Sequence, residues 1–409
     1  MLTRSCRQVR DLKFQVTAVI LCFFMTACSS IPRHAEPIGT AANAQIAGFS
    51  GIRYLPLTNP EPTREMLRQA FFNETSESYE EQADGSRVYS YLSISGGGSD
   101  GAFGAGLLNG WTKIGGRPKF KIVTGVSTGA LIAPFAFLGP AYDDELKQAY
   151  TTVDSSRIFI ARSLLSILWS ESLTDTAPLR EMVASFIDKK VLATIAVEHA
   201  KGRRLLVAST NLDAEESVVW DLGAIASSSN PKKLDLFRTV LVASASIPAI
   251  FQPTMIDVVV DGRKYDEMHV DGGVFFQSFS IGSLIDLSGT IRAAHRDYAG
   301  KVLQRLYVIR NGRVTPDPKQ VKRGLSSIAE RSIGSLFKVS GINDLWRLYL
   351  STIHDNAEFR FISIPLDYKG ETEEQFNKAE MIRQYEYGEK MALNGIPWRS
   401  VPPFYLGPK

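Results

Sequence analysis

Two short segments place a nucleophile and a base in the same chain. Gly125-Val126-Ser127-Thr128-Gly129 lies between an apolar run and a helical pattern. A serine on such a sharp turn has its hydroxyl exposed, and the flanking glycines remove side chains that would collide in the bend. Asp271-Gly272-Gly273, preceded by Met268-His269-Val270, supplies a carboxylate. A serine hydroxyl is a weak nucleophile at neutral pH and needs an adjacent base. An aspartate, which ordinarily ionises near pH ~3.9, fills that role only when desolvation raises its pKa. A third segment, Gly96-Gly97-Gly98-Ser99-Asp100-Gly101, follows a strand pattern and opens a helical one. Its glycines let backbone N–H groups converge into a nest at the positive end of a helix, a place for an anion or a developing oxyanion.

Each segment also has an ordinary reading. The serine can cap a tight turn, and Asp-Gly-Gly is a common turn in its own right. Gly96, Gly98 and Gly101 satisfy G-x-G-x-x-G, the spacing of a dinucleotide-binding loop. That fold wants an acidic residue about 20 positions further on, where this chain has Arg117, Pro118, Lys119, Phe120 and Lys121. A cofactor phosphate would tolerate those basic residues, so this reading stays open but disfavoured. His269 competes with Asp271 as base, since residues two apart in an extended segment point the same way. The other histidines, His34, His199, His295 and His354, have no motif around them. Scattered histidines, no cysteine beyond Cys28 and no acidic run with calcium-loop spacing imply no metal site.

The elements that must position these residues alternate short apolar runs with helical patterns, as parallel strands covered by helices do. Val88 to Ser95, Phe120 to Thr124, Arg204 to Ser209, Leu303 to Ile309 and Phe359 to Ile364 read as strands. Phe103, Leu107, Trp111 and Ile114 recur at helical spacing after the triple glycine. A second helix should start at Thr128, with Pro134 kinking or ending it early, and a long one spans Thr372 to Leu393. Leu164, Leu165, Ile167, Leu168 and Trp169 form a dense apolar stretch, read as a core helix in preference to a lipid-touching one because no basic polar face accompanies it.

The order of motifs carries more than any one of them. G-G-G-x-x-G, then G-x-S-x-G about 25 residues later, then a distant D-G-G resembles the patatin-like phospholipase family. Ala243-Ser244-Ala245-Ser246-Ile247-Pro248-Ala249-Ile250-Phe251 is similar to the A-S-x-x-x-P-x-x-F segment of these proteins. The resemblance covers a motif core of about residues 88–275 and implies a three-layer α/β/α sandwich with a mainly parallel sheet. It further implies a Ser127–Asp271 dyad acting through an acyl-serine, with an oxyanion hole from Gly96, Gly97, Gly98, Ser99, Asp100 and Gly101. Gly125, Val126, Thr128 and Gly129 would form the nucleophile elbow, and Gly272 and Gly273 would complete the aspartate motif. The implied activity is phospholipase A or lysophospholipase, without a cofactor. Asp100 departs from the family, which often has arginine or lysine there; backbone donors remain available, so the assignment stands.

The amino terminus reads as a secretory signal over residues 1–27: a basic stretch, the apolar run Phe14 to Met25, then small residues. The run is too short to span a bilayer, which takes about 20 residues. Met25-Thr26-Ala27-Cys28 resembles a bacterial lipobox, which implies lipidation at Cys28 and a membrane anchor. Ser29 after the cysteine resembles an outer-membrane sorting signal. Residues 28–52 read as a flexible tether and 53–409 as the hydrolase domain, with no linker that would split the body. Without residues 1–27 the chain has 42 basic and 42 acidic residues, so no global field draws it to nucleic acid. A non-catalytic envelope lipoprotein on the same scaffold is the main competing function.

Overall fold

A computed structural model describes residues 32–152, 160–161, 174–296, 298, 300–372 and 374–406. The signal segment, Cys28 and the Leu164–Trp169 stretch lie outside the described residues. Among the described residues the strands are β1 (Arg53–Tyr54), β2 (Glu80–Glu81), β3 (Arg87–Ile94), β4 (Ile122–Val126), β5 (Ile160–Ala161), β6 (Thr174–Asp175), β7 (Arg204–Asn211), β8 (Glu216–Asp221), β9 (Thr254–Val260), β10 (Arg263–Asp271), β11 (Val302–Arg310) and β12 (Glu358–Ser363). The main sheet has the order β1-β8-β7-β4-β3-β11-β12, with β2 on β3 and the hairpin β9-β10 attached to β7. Its central strands, from β7 to β12, are parallel, while β8, β10, β1 and β2 join antiparallel. The expected mixed α/β fold with a mainly parallel sheet is therefore what the chain forms.

Central strands are apolar on both sides because helices cover both faces. Side chains alternate along them: Leu92, Ile94, Leu205 and Val207 enter one core, and Tyr89, Tyr91, Leu206 and Ala208 the other. Over the first core the helices Gly101–Lys113 and Lys378–Leu393 pack closely at small residues. A Cβ on Gly106 would lie 1.9 Å from the Tyr385 carbonyl oxygen, and one on Gly388 would lie 2.3 Å from that of Phe103. The later helix begins at Lys378, six residues after the expected start, because Asn377 caps it by accepting from the Glu380 amide. Pro134 does not stop its helix, which runs from Thr128 to Leu138. The 30-residue helix Leu325–His354 had no diagnostic motif in the sequence.

The tether expected over 28–52 is corrected from Pro32 onward. Arg33 pairs with Asp213 and Asp266, both at 2.7 Å. Gln45 exchanges backbone hydrogen bonds with Val259, so part of the outer edge of β9 is satisfied. Ala44, Ile46 and Ile52 are core residues. The segment docks through isolated bridges and single side chains, which leave no periodic signature in the sequence.

Gly106→Val should cost about 3 kcal/mol, the upper end for overpacking. Gly334→Ala, at a helical position where a Cβ meets nothing within 4 Å, should gain up to about 1 kcal/mol. Urea unfolding of the two variants checks both signs.

Candidate active site

Strand β7 brings the serine and the aspartate together. β4 pairs with β7 up to Val126 opposite Ala208. β10 then pairs with the next residue of β7, Ser209 opposite Asp271. Since β8 occupies the other edge of β7, β4 and β10 meet end to end along one edge, one finishing at Val126 and the other at Asp271. Gly272 seals the junction: a Cβ there would lie 2.3 Å from the Ala208 carbonyl oxygen and 3.2 Å from Val126 Cγ1.

Ser127 has φ 54° and ψ −126°, a conformation that non-glycine residues rarely adopt. The turn is tight enough that a Cβ on Gly125 would sit 2.4 Å from the Gly129 carbonyl oxygen, and one on Gly129 would sit 2.2 Å from that of Ile94. Ser244 Oγ accepts from the Ser127 amide at 3.1 Å and donates to the Ala208 carbonyl at 2.7 Å. The Ser246 carbonyl accepts from the Asp271 amide at 2.8 Å. The Ala243–Phe251 segment thus fastens both site residues. Sequence reasoning quoted that segment without giving Ser244 or Ser246 a role.

Asp271 is buried, and that burial pushes its carboxyl up to about 7. The Ser127 hydroxyl and the Gly273 amide act in the opposite direction. Oδ1 accepts from the Gly273 amide at 2.7 Å, while Oδ2 is buried with no hydrogen-bond partner among the described residues. A carboxylate oxygen so placed is ready to take a proton. His269 is differently occupied. Its Nδ1 meets Ser209 Oγ at 2.9 Å and its Nε2 meets Glu267 Oε2 at 2.9 Å; burial lowers its pKa, and both ring nitrogens are taken.

The glycine-rich loop follows β3 and lies beside the serine. A Cβ on Gly96 would be 3.2 Å from Ser127 Cβ. Of the six residues expected to form an anion hole, three have committed amides: Gly96 donates to the Gln277 carbonyl, Asp100 to Gly97, and Gly101 to Gly98 and Ser99. The inclusion of those three is corrected for that reason. Among the described residues, the amides of Gly97, Gly98 and Ser99 have no acceptor, and neither does that of Thr128, the first residue of a helix whose positive end faces the serine. Asp100 directs its carboxylate to Gln384 Nε2 at 2.8 Å. The buried guanidinium of Arg310, from the end of β11, reaches the Gly96 carbonyl at 3.3 Å and Gln277 Oε1 at 3.2 Å. Gln277 Nε2 in turn donates to the Gly273 carbonyl at 2.8 Å. Arg310 and Gln277 therefore tie the glycine-rich loop to the aspartate loop, and no motif in the sequence marked either residue.

A narrow apolar pocket opens beside Ser127. Leu131, Phe135, Val183, Leu241, Ile247 and Phe251 line it, together with Gly98 and Thr128 near the serine. The Tyr150 hydroxyl, also in the wall, is already bonded to Thr128 Oγ1 at 2.6 Å. Its lining is predominantly apolar, as in pockets that take apolar groups. Asp286, His354 and Asp355 form the one group among the described residues with metal-ligand spacing; they lie at the foot of the helix Leu325–His354, outside this site.

VipD from Legionella pneumophila superposes at TM-score 0.32 with 14% identity, covering 77% of this chain and 69% of that one. Human GIVD cytosolic phospholipase A2 superposes at TM-score 0.25 with 12% identity, covering 69% of this chain and 51% of that one, so this chain spans about half the length of the human enzyme. No curated protein sequence matches. The model of the patatin-like phospholipase family matches residues 92–283, a range that holds the glycine-rich loop, the serine elbow and the aspartate motif in order. By that match, this chain carries a patatin-like phospholipase domain over residues 92–283.

Proposed function

We propose that the chain is a lipid acyl hydrolase, of phospholipase A or lysophospholipase type, that cleaves carboxylic esters through Ser127 and Asp271. The observation that carries this reading is a hydroxyl on a strained turn beside a buried carboxyl raised to about 7, at the mouth of an apolar cavity. In the proposed reaction Asp271 Oδ2 takes the Ser127 proton as Oγ attacks the ester carbonyl carbon. The carbonyl electrons move onto oxygen, and the amides of Gly97, Gly98, Ser99 and Thr128 stabilise that oxyanion, at roughly 3 to 4 kcal/mol for a well-aimed donor. As the tetrahedral centre collapses, protonated Asp271 gives its proton to the departing alcohol or lysolipid oxygen. Water, deprotonated by the same carboxylate, then releases the fatty acid and restores the serine. The acyl chain of a glycerophospholipid or lysophospholipid would occupy the cavity.

The lipobox-like Met25-Thr26-Ala27-Cys28 supports cleavage before Cys28 and lipidation of that residue, with Ser29 favouring the outer membrane. Since Arg33 is already docked on the body, about five residues would separate the lipid from the fold, a reach of at most roughly 18 Å.

A fluorophosphonate should label wild-type protein and leave Ser127→Ala unlabelled; labelling of both would remove Ser127 from the mechanism, and labelling of neither would favour a non-catalytic scaffold. Asp271→Asn should lower kcat/KM by about 100- to 10,000-fold. His269→Ala should keep part of the activity while losing about 1 to 3 kcal/mol of stability, because Ser209 and Glu267 lose a buried partner. The wild-type pH profile should rise to a plateau with its midpoint near 7, since the active carboxyl is deprotonated. The same shift acts on stability with the opposite sign. A carboxyl whose folded pKa is raised stabilises the fold fully below its ordinary value of 3.8, and that contribution is lost as pH rises through about 7. At pH 8, therefore, Asp271→Asn should melt above wild type by several degrees in a thermal scan.

A further inference from the structure

The helix Leu325–His354 runs antiparallel to β11. Its carboxyl end lies beside the start of that strand, where the Asp355 carbonyl accepts from Gln304 Nε2 at 3.2 Å. Further back along the helix, Gly341 packs on Arg310 at the strand's end: a Cβ there would lie 2.7 Å from the guanidinium carbon. Residues preceding Gly341 therefore continue past the carboxyl edge of the parallel strands, by about 24 Å at 1.5 Å per residue. That edge is the one from which Ser127 and the oxyanion loop emerge.

The projecting half is amphipathic, and its apolar side faces outward. Leu325 (87% exposed), Ile328 (53%), Leu336 (68%) and Val339 (55%) fall on one face at spacings of three, eight and three residues, with small Ala329 and Ser332 between them. The opposite face holds the preceding loop, where Arg331 donates to the Asp317 carbonyl at 2.6 Å and Lys338 to that of Thr315 at 3.2 Å. Exposed Lys319, Lys322 and Arg323 flank the start of the stripe. Across residues 316–340 five lysines and arginines stand against Asp317 and Glu330.

We infer that this half-helix docks on the surface of an anionic glycerophospholipid bilayer and holds the mouth of the Ser127 site against the lipid. Leucine, isoleucine and valine on the outer face with basic residues alongside are what an in-plane interfacial helix needs: apolar area to bury at the acyl boundary and cations to meet the headgroups. A protein partner is the poorer fit, since lysines are depleted at the core of protein interfaces. The inference deepens the hydrolase reading and rests on it for its purpose, but the binding itself is measurable without catalysis.

The test uses the chain from residue 28 onward with Cys28→Ala, which keeps every described residue and removes any lipid anchor. Flotation with vesicles of phosphatidylglycerol and phosphatidylethanolamine compares it with Leu325→Glu/Ile328→Glu/Leu336→Glu and, separately, with Lys322→Glu/Arg323→Glu. The triple variant should bind at least tenfold more weakly, and the double variant should lose the preference over phosphatidylcholine vesicles. Both should hydrolyse a soluble short-chain ester at the wild-type rate. Unchanged vesicle binding by the triple variant overturns the inference. If that unchanged binding comes with a shift from dimer to monomer, the stripe is an interface between copies; if it comes with a lowered melting temperature, a segment of the same chain covers it. A wild-type protein that binds vesicles through the stripe and hydrolyses no ester would leave the docking surface standing and sink the hydrolase reading.

Discussion

The whole site depends on one edge of β7. That edge is shared: β4 hydrogen-bonds to its first part and β10 to its last residues, so the two strands abut at Val126 and Asp271. Backbone pairing sets the position of each strand to within a fraction of a residue spacing. A serine one residue past β4 and an aspartate at the end of β10 then have nowhere to be but beside each other. Proximity here is a property of the ladder and not of any attraction between the two side chains. It survives even though Asp271 Oδ2 has no hydrogen-bond partner among the described residues.

Burial does the rest of the chemistry. The same desolvation that lifts Asp271 to about 7 would leave a weaker or stronger base in another setting, and two neighbours limit the shift, the Ser127 hydroxyl and the Gly273 amide. The nearby Ser209–His269–Glu267 row shows what burial does without access. It has a hydroxyl, an imidazole and a carboxylate in hydrogen-bonding contact, in the order of a catalytic triad, and Arg53 closes it by pairing with Glu267 at 2.8 Å. His269 and Ser209 are wholly enclosed, and Ser209 Oγ also accepts from Trp220 Nε1. No substrate reaches it, so the row fixes the β7–β10 junction instead of reacting. Residue types in catalytic order are therefore not a site unless one oxygen is left free and a path leads to it.

The positive charge beside the glycine-rich loop comes from outside that loop's own motif. Asp100 accepts from Gln384 Nε2 at 2.8 Å. Arg310 arrives from β11, 214 residues beyond Gly96 in sequence, and donates to the Gly96 carbonyl. Burial lowers the guanidinium pKa, and the fields of Asp344 and Asp100 oppose that shift. Asp100 is thus part of the counter-charge to Arg310.

Local sequence determined the elements and the turns. Alternation and helical spacing gave β3, β7, β11, β12 and the helix after the triple glycine, because each is a short-range pattern of burial. The Gly-x-Ser-x-Gly elbow was legible for a similar reason: only glycine fits where a Cβ would strike a carbonyl oxygen four residues along the chain or on the next strand. The docking of residues 32–52, the hairpin that carries Asp271 to β7, the hydrogen bonds that occupy both ring nitrogens of His269, and the reach of Arg310 and Gln277 were decided by tertiary structure alone. Each depends on which groups a long-range contact leaves occupied or free. A hydrogen bond between residues 60 or 200 positions apart writes no period into the chain, so only the folded protein could show that His269 has both nitrogens taken and Asp271 keeps one oxygen open.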